Sequence, residues 1–173
     1  MPNTYIQIGS TVTVGSGGAA TIDFSSIPST YTDLILKISA RGTTTSPDRD
    51  ALLSNIKFNN TSSTYTSKWV RTQGTAASSF NGGALAGYVN ASNWTASTFS
   101  NTDIYIPNYA GSNQKSYSID NSAEQNVASY DAMLGLGAGL WNGTGAINQI
   151  TITLDYGNFA QYSTASLYGV LKS

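Results

Sequence analysis

The chain has 173 residues, with eight Lys and Arg against nine Asp and Glu for a formal net charge of -1, and it holds neither histidine nor cysteine. That length suits one domain spanning 1–173, able to bury roughly 70% of the surface its unfolded chain exposes. The charge balance excludes a basic field for nucleic acid or an anionic membrane, and the missing cysteines exclude disulfides and thiolate metal sites.

Solubility rests instead on 24 Ser, 21 Thr and 15 Asn, because only 10% of residues are charged. Thr favours strands, Ser and Asn favour turns, and all three compete with helical backbone bonds. One glutamate, Glu124, and five lysines leave little with which to coat exposed helices. The expected class is all-β. The opening "MPNTYIQIGS" has neither the basic nor the apolar region of an export signal, and no stretch approaches the ~20 apolar residues of a membrane helix.

In chain order, "TYIQI" (4–8), "TVTV" (11–14) and "AATIDF" (19–24) read as short strands. "SSIPST" is a corner, since Pro28 interrupts a ladder. It delivers the chain into "TDLILKISAR", where Leu34, Leu36, Ile38 and Ala40 share one face and Asp33, Lys37, Ser39 and Arg41 the other. Ile35 is the one large apolar residue on the wrong side. "ALLSNIKF" (51–58), "SKWVRT" (67–72) and "ALAGYV" (84–89) follow, separated by "FNNTSSTYTS" and "GTAASSFNGG", which read as long loops. "NTDIYIPN" alternates through Ile104 and Ile106 until Pro107 closes it. "KSYSID" (115–120) precedes "SAEQ" (122–125), whose capping-box spacing allows at most one helical turn. "DAMLGLGAGLW" (131–141), "NQITITLDY", alternating through Ile150, Ile152 and Leu154, and "TASLYGVL" (164–171) complete the set. About a dozen short strands without an internal repeat predict a two-sheet antiparallel β-sandwich or a barrel. Leu34, Leu36, Ile38, Ile104, Ile106, Ile150, Ile152 and Leu154 are its expected core.

Motifs for chemistry are few. "GLGAGLWNGTG" (135–145) has the glycines of a phosphate-cradling loop, but a strand follows where a helix is needed. Its glycines are expected to admit a close side chain or second sheet, with "NGTG" as a hairpin turn. "SPDRDA" offers Asp48 and Asp50 to a Ca²⁺ ion without the remaining ligands, and Arg49 neutralises them locally. Absence of histidine removes the usual base for a serine nucleophile, and a glycosidase would have to draw its two carboxylates from Glu124 and eight aspartates, of which Asp103, Asp120, Asp131 and Asp155 sit in or beside strands without a spacing that pairs them. No enzymatic activity, catalytic residue, metal or cofactor is expected. The aromatics remain: Trp69, Trp94 and Trp141, with Tyr65, Tyr88 and Tyr109 near loops, either pack ordinarily or serve as interface or glycan contacts. Trp94, in "NASNWTAS", is the leading exposed anchor because no alternation buries it.

"IDFSSIPSTYTDLILKISAR", "IYIPNYAGSNQKSYSID", "AGLWNGTGAINQITIT" and "QYSTASLYGVLKS" together resemble small virion structural proteins of tailed bacteriophages, especially marine and cyanobacterial ones. The resemblance runs through most of the chain in order, but not through the loop from Gly42 to Asp50. It implies a jelly-roll-like sandwich assembled in the host cytoplasm and residing in the virion. The implied role is capsid decoration (cement) or head fibre, as a homotrimer binding the major capsid protein or another virion protein. A tail or receptor-binding module reading host glycans through Trp94, Tyr65, Tyr109 or Trp69 is the alternative. Neither reading involves nucleic acid or membrane.

Overall fold

The computed structural model describes residues 4–45, 52–61, 64–73, 76–126 and 132–171, and among them are twelve strands and no helix. The strands are β1 (Tyr5–Thr13), β2 (Thr21–Phe24), β3 (Asp33–Ala40), β4 (Leu52–Phe58), β5 (Tyr65–Gln73) and β6 (Ala76–Gly82). They continue with β7 (Leu85–Val89), β8 (Ser100–Ile106), β9 (Lys115–Ala123), β10 (Met133–Trp141), β11 (Ile150–Leu154) and β12 (Thr164–Val170). They form an eight-stranded sheet, β1-β12-β3-β8-β9-β10-β5-β6, and a four-stranded sheet, β2-β11-β4-β7.

The pairs β1–β12, β2–β11, β3–β8 and β4–β7 are all antiparallel, and successive pairs alternate between the sheets. That arrangement is one long hairpin rolled across a sandwich, the jelly roll. Two hairpins, β5–β6 and β9–β10, are inserted into it and both extend the large sheet beyond β8. β10 links them by pairing with β9 on one side and β5 on the other.

Alternation places the core as expected. Leu34, Leu36, Ile38, Ile104 and Ile106 from the large sheet meet Ile150 and Ile152 from the small one, all buried in a single cluster. Leu154 is only half-buried, because it ends β11 at the margin of that cluster. Asn121 joins the layers by hydrogen bonds. Its side-chain oxygen accepts from the Tyr88 amide at 2.9 Å, and its Nδ2 donates to the Tyr88 carbonyl at 3.0 Å and to Thr102 Oγ1 at 2.7 Å. The amide therefore substitutes for a missing ladder neighbour of β7. Gly87 allows the approach: its φ is 137°, and a Cβ there would lie 3.1 Å from the Asn121 amide.

Several local expectations are corrected. "TYIQI" and "TVTV" are one strand with a register shift between Ile8 and Val12. Most of "GTAASSFNGG" is strand β6, since β5 supplies a ladder partner that its weak propensity does not reveal. Ser122 and Ala123 finish β9, and the Glu124 carboxylate accepts from the amides of Gln125 and Asn126 at 2.8 Å in a turn, with no helix. "NGTG" is not a hairpin turn, because β10 and β11 lie in different sheets and the segment crosses between them. Asp48, Arg49, Asp50 and Asp131 lie outside the described residues.

Candidate functional site

Most of the aromatic side chains singled out as contacts face inward. Trp94 is 4% exposed, and Trp69, Trp141, Tyr88 and Tyr109 are buried, with Tyr65 half-buried. Trp69 donates to Ser67 Oγ at 3.1 Å and stacks on Phe80 at 6.3 Å between centroids. Tyr109 donates to the Pro28 carbonyl, and the Tyr65 hydroxyl accepts from the Phe58 amide at 2.7 Å. These rings pack the interior, so they do not form an exposed contact surface.

Trp94 is drawn in by a residue also assigned to the opposite face. Arg41 is buried, and its Nη1 donates to the carbonyls of Thr95 and Thr98 at 2.8 and 3.0 Å. Its Nη2 donates to those of Ser92 and Trp94 at 3.0 and 2.9 Å. One guanidinium thus organises the whole turn after β7, a role suited to its planar fork of donors. Burial holds its pKa below the usual arginine value. Lys115 acts similarly, donating to the carbonyls of Gly111 and Asn113 and, at 3.4 Å, Thr144, and burial lowers its pKa too.

The exposed chemistry lies on the outer face of the large sheet. Residues opposite one another on neighbouring strands share a face, so the register generates its rows. One row runs Tyr168, Ile35, Tyr105, Ser118, Ala138, Lys68; the next runs Ser166, Lys37, Asp103, Asp120, Leu136, Val70. β9 shows only polar residues outward: Ser116, Ser118, Asp120 and Ser122. They divide the face into an aromatic half and an aliphatic half.

The aliphatic half arises because β10 is inside out. Its inward positions are the buried Met133 and Trp141 at the two ends and, between them, Gly135, Gly137 and Gly139, where a Cβ would meet the rings of neighbouring strands: 2.7 Å from Trp69 at Gly137 and 2.1 Å from Tyr117 at Gly139. Its outward positions are Leu134, Leu136, Ala138 and Leu140, with Leu136 59% exposed and Val70 of β5 beside it. The expectation that these glycines admit neighbouring side chains is met. The leucines on the opposite side belong to solvent.

The aromatic half is a groove of about 620 Å³ over β1, β12, β3, β8 and β9. Tyr5, Tyr168 and Tyr105 flank Ile35, the residue that broke the alternation of its strand. The Tyr105 hydroxyl donates to Asp33 Oδ2 at 2.7 Å, which raises its pKa, while Asp33 Oδ1 accepts from the Asn108 amide at 2.8 Å. Lys37 and Asp103 form an ion pair between β3 and β8. Asp120 stands opposite Asp103, exposed and without a hydrogen bond or ion pair among the described residues. Sequence reasoning missed these tyrosines because each occupies the outward position of an ordinary strand. The misplaced Ile35 was the one available signal.

Asp155 bonds to Asn55 on the small sheet, away from this face. No group of three or more His, Cys, Asp or Glu that could hold a metal exists among the described residues. No protein family, no curated protein and no solved structure matches the chain.

Proposed function

We propose that this chain is a phage virion structural protein, a capsid decoration (cement) subunit or head fibre, that works by binding and not by catalysis. The observation that carries the reading is the aliphatic face of β10 and β5, on which Leu134, Leu136, Leu140 and Val70 stand together in solvent. An isolated molecule gains nothing from such a face, and contiguous exposed apolar surface is characteristic of association sites. The jelly roll and the ordered sequence blocks that resemble virion proteins support the same reading.

The occupant proposed is another copy of the same chain. The face continues to the sheet edge at β6, whose Ala76, Ala77, Ser78 and Ser79 are exposed and lack the lysine, proline or bulge that usually guards an edge. A neighbouring copy brings both the apolar face and the edge that can meet it. Closure into a homotrimer leaves three equivalent loop sets for the capsid, where several weak contacts act together.

Sedimentation equilibrium of the purified chain is expected to give a trimer, and Leu136→Asp a folded monomer; a wild-type monomer at every concentration overturns the assembly. Particles lacking the chain should assemble yet release DNA at lower temperature. Particles that stay thermally intact but no longer adsorb to cells would overturn the decoration role.

A further inference from the structure

The groove on the other half of the large sheet is built for a different kind of ligand. Tyr168, Ile35 and Tyr105 sit opposite one another on three successive strands, so the two rings stand about 10 Å apart with an apolar floor between them. Tyr5, from the edge strand β1, adds a third ring, exposed like that of Tyr105, while Tyr168 is half-buried. The volume of about 620 Å³ lies within the usual range of small-ligand sites. Tyr105 is already held by Asp33, which is itself held by the Asn108 amide, so binding need not order that ring.

The polar groups around the rings narrow the ligand class. Asp33, Asp103 and Asp120 face one cation, Lys37, which is already paired with Asp103. Two carboxylates directly opposite on neighbouring strands are unfavourable, and among the described residues only Asp103 has a counter-charge. Asp120 therefore offers an acceptor that no donor among the described residues uses. An anionic ligand is repelled here. A ligand with apolar C–H faces for the rings and many hydroxyl donors for Asp120 and Ser118 satisfies both halves of the groove.

We infer that this groove binds a neutral oligosaccharide, its sugar faces stacked on Tyr5, Tyr105 and Tyr168 and its hydroxyls donating to Asp120. The span between the rings suits a chain of sugars and not a single ring. The site is independent of the leucine face proposed for self-association, so a decoration subunit carrying it would present glycan-binding sites in many copies. That multiplicity converts weak individual binding into avidity.

The test is calorimetric titration of the full chain with neutral gluco-, manno- and galacto-hexaoses, with sialyllactose and heparin hexasaccharide as anionic probes. At least one neutral hexaose is expected to bind, and Tyr105→Ala, Tyr168→Ala and Asp120→Leu should each weaken it by about tenfold or more. Val70→Asp, on the leucine face but one strand farther from Asp120 than Leu136, should abolish the trimer and leave binding per chain unchanged, separating this site from the assembly face. Melting of each variant identifies any that fails to fold, and Tyr168→Phe, which keeps the ring, should retain binding. Failure of every neutral hexaose to bind, preference for the anionic probes, or affinity untouched by losing the rings overturns the inference. So does loss of the trimer in the ring variants, which would make the groove a subunit contact.

Discussion

The Asn121 side chain makes four hydrogen bonds, two of them to the backbone of Tyr88. Replacing it by leucine of similar bulk leaves the Tyr88 amide and carbonyl without these partners. Asn121→Leu should cost about 1–3 kcal/mol, read as a lower denaturant midpoint in urea. A different sensitivity follows from the buried phenols. Burial raises the pKa of Tyr117, Tyr65 and Tyr109, in the last two partly offset by a backbone hydrogen bond. A raised folded-state pKa contributes stability present below the unfolded value, about 10 for tyrosine, and lost as pH rises towards the folded value. Lys115, lowered by burial, acts in the opposite sense as its amine deprotonates sooner in the folded chain. With four phenols raised, Tyr105 included, against one lysine and one arginine lowered, melting temperature should fall above about pH 10. The tyrosinate absorbance of the buried rings should appear only as the chain unfolds. Full ionisation of all tyrosines before unfolding would contradict this account.

At the scale of an element, β10 makes the most direct prediction. Between the buried Met133 and Trp141 its inner surface is backbone against the rings of Trp69 and Tyr117, and its outer surface is mostly leucine against solvent. Gly137→Val should therefore destabilise the fold by about 1–3 kcal/mol through overpacking. Leu136→Ser, measured in the monomer, should stay within about 0.5 kcal/mol as an exposed substitution. Equal costs at the two positions would mean that the strand does not present these faces. The alternation of "MLGLGAGLW" was visible in the sequence, and so was its strand character. Which face was buried was not, because leucine ordinarily marks the inner side and here the rings of neighbouring strands had already taken that space. The same limit applied to Trp94: its loop has no period, and its burial follows from four carbonyls gathered by Arg41, a residue far from it in sequence.

At the scale of the whole molecule, the jelly roll couples the two ends of the chain. β12 lies between β1 and β3, contributing the buried Ala165 and Leu167, so neither neighbour has a ladder partner on that side until the last segment is in place. Truncation that removes 164–171 should abolish cooperative unfolding, measured by far-UV circular dichroism against urea. Long-range pairing of this kind also places folding among the slower β topologies, on the order of milliseconds to seconds or longer. The intact chain should show a strand-dominated spectrum and a melting temperature insensitive to EDTA. A large downward shift with chelator would reveal a structural metal.

The sequence by itself determined the class of structure. Scarce helix formers, abundant Thr, Ser and Asn, and period-two alternation are local properties, and a strand with one apolar face shows which residues it buries wherever it is placed. Hence Leu34, Leu36, Ile38, Ile104, Ile106, Ile150 and Ile152 were legible as core before their partners were known. Only the tertiary structure decided which strands became neighbours, because strand order depends on pairings across most of the chain length. Those pairings set Tyr168, Ile35 and Tyr105 side by side, turned the leucines of β10 outward, and left Asp120 opposite Asp103 without a counter-charge among the described residues. The surfaces available for function are made of cross-strand neighbours, and no local pattern contains them.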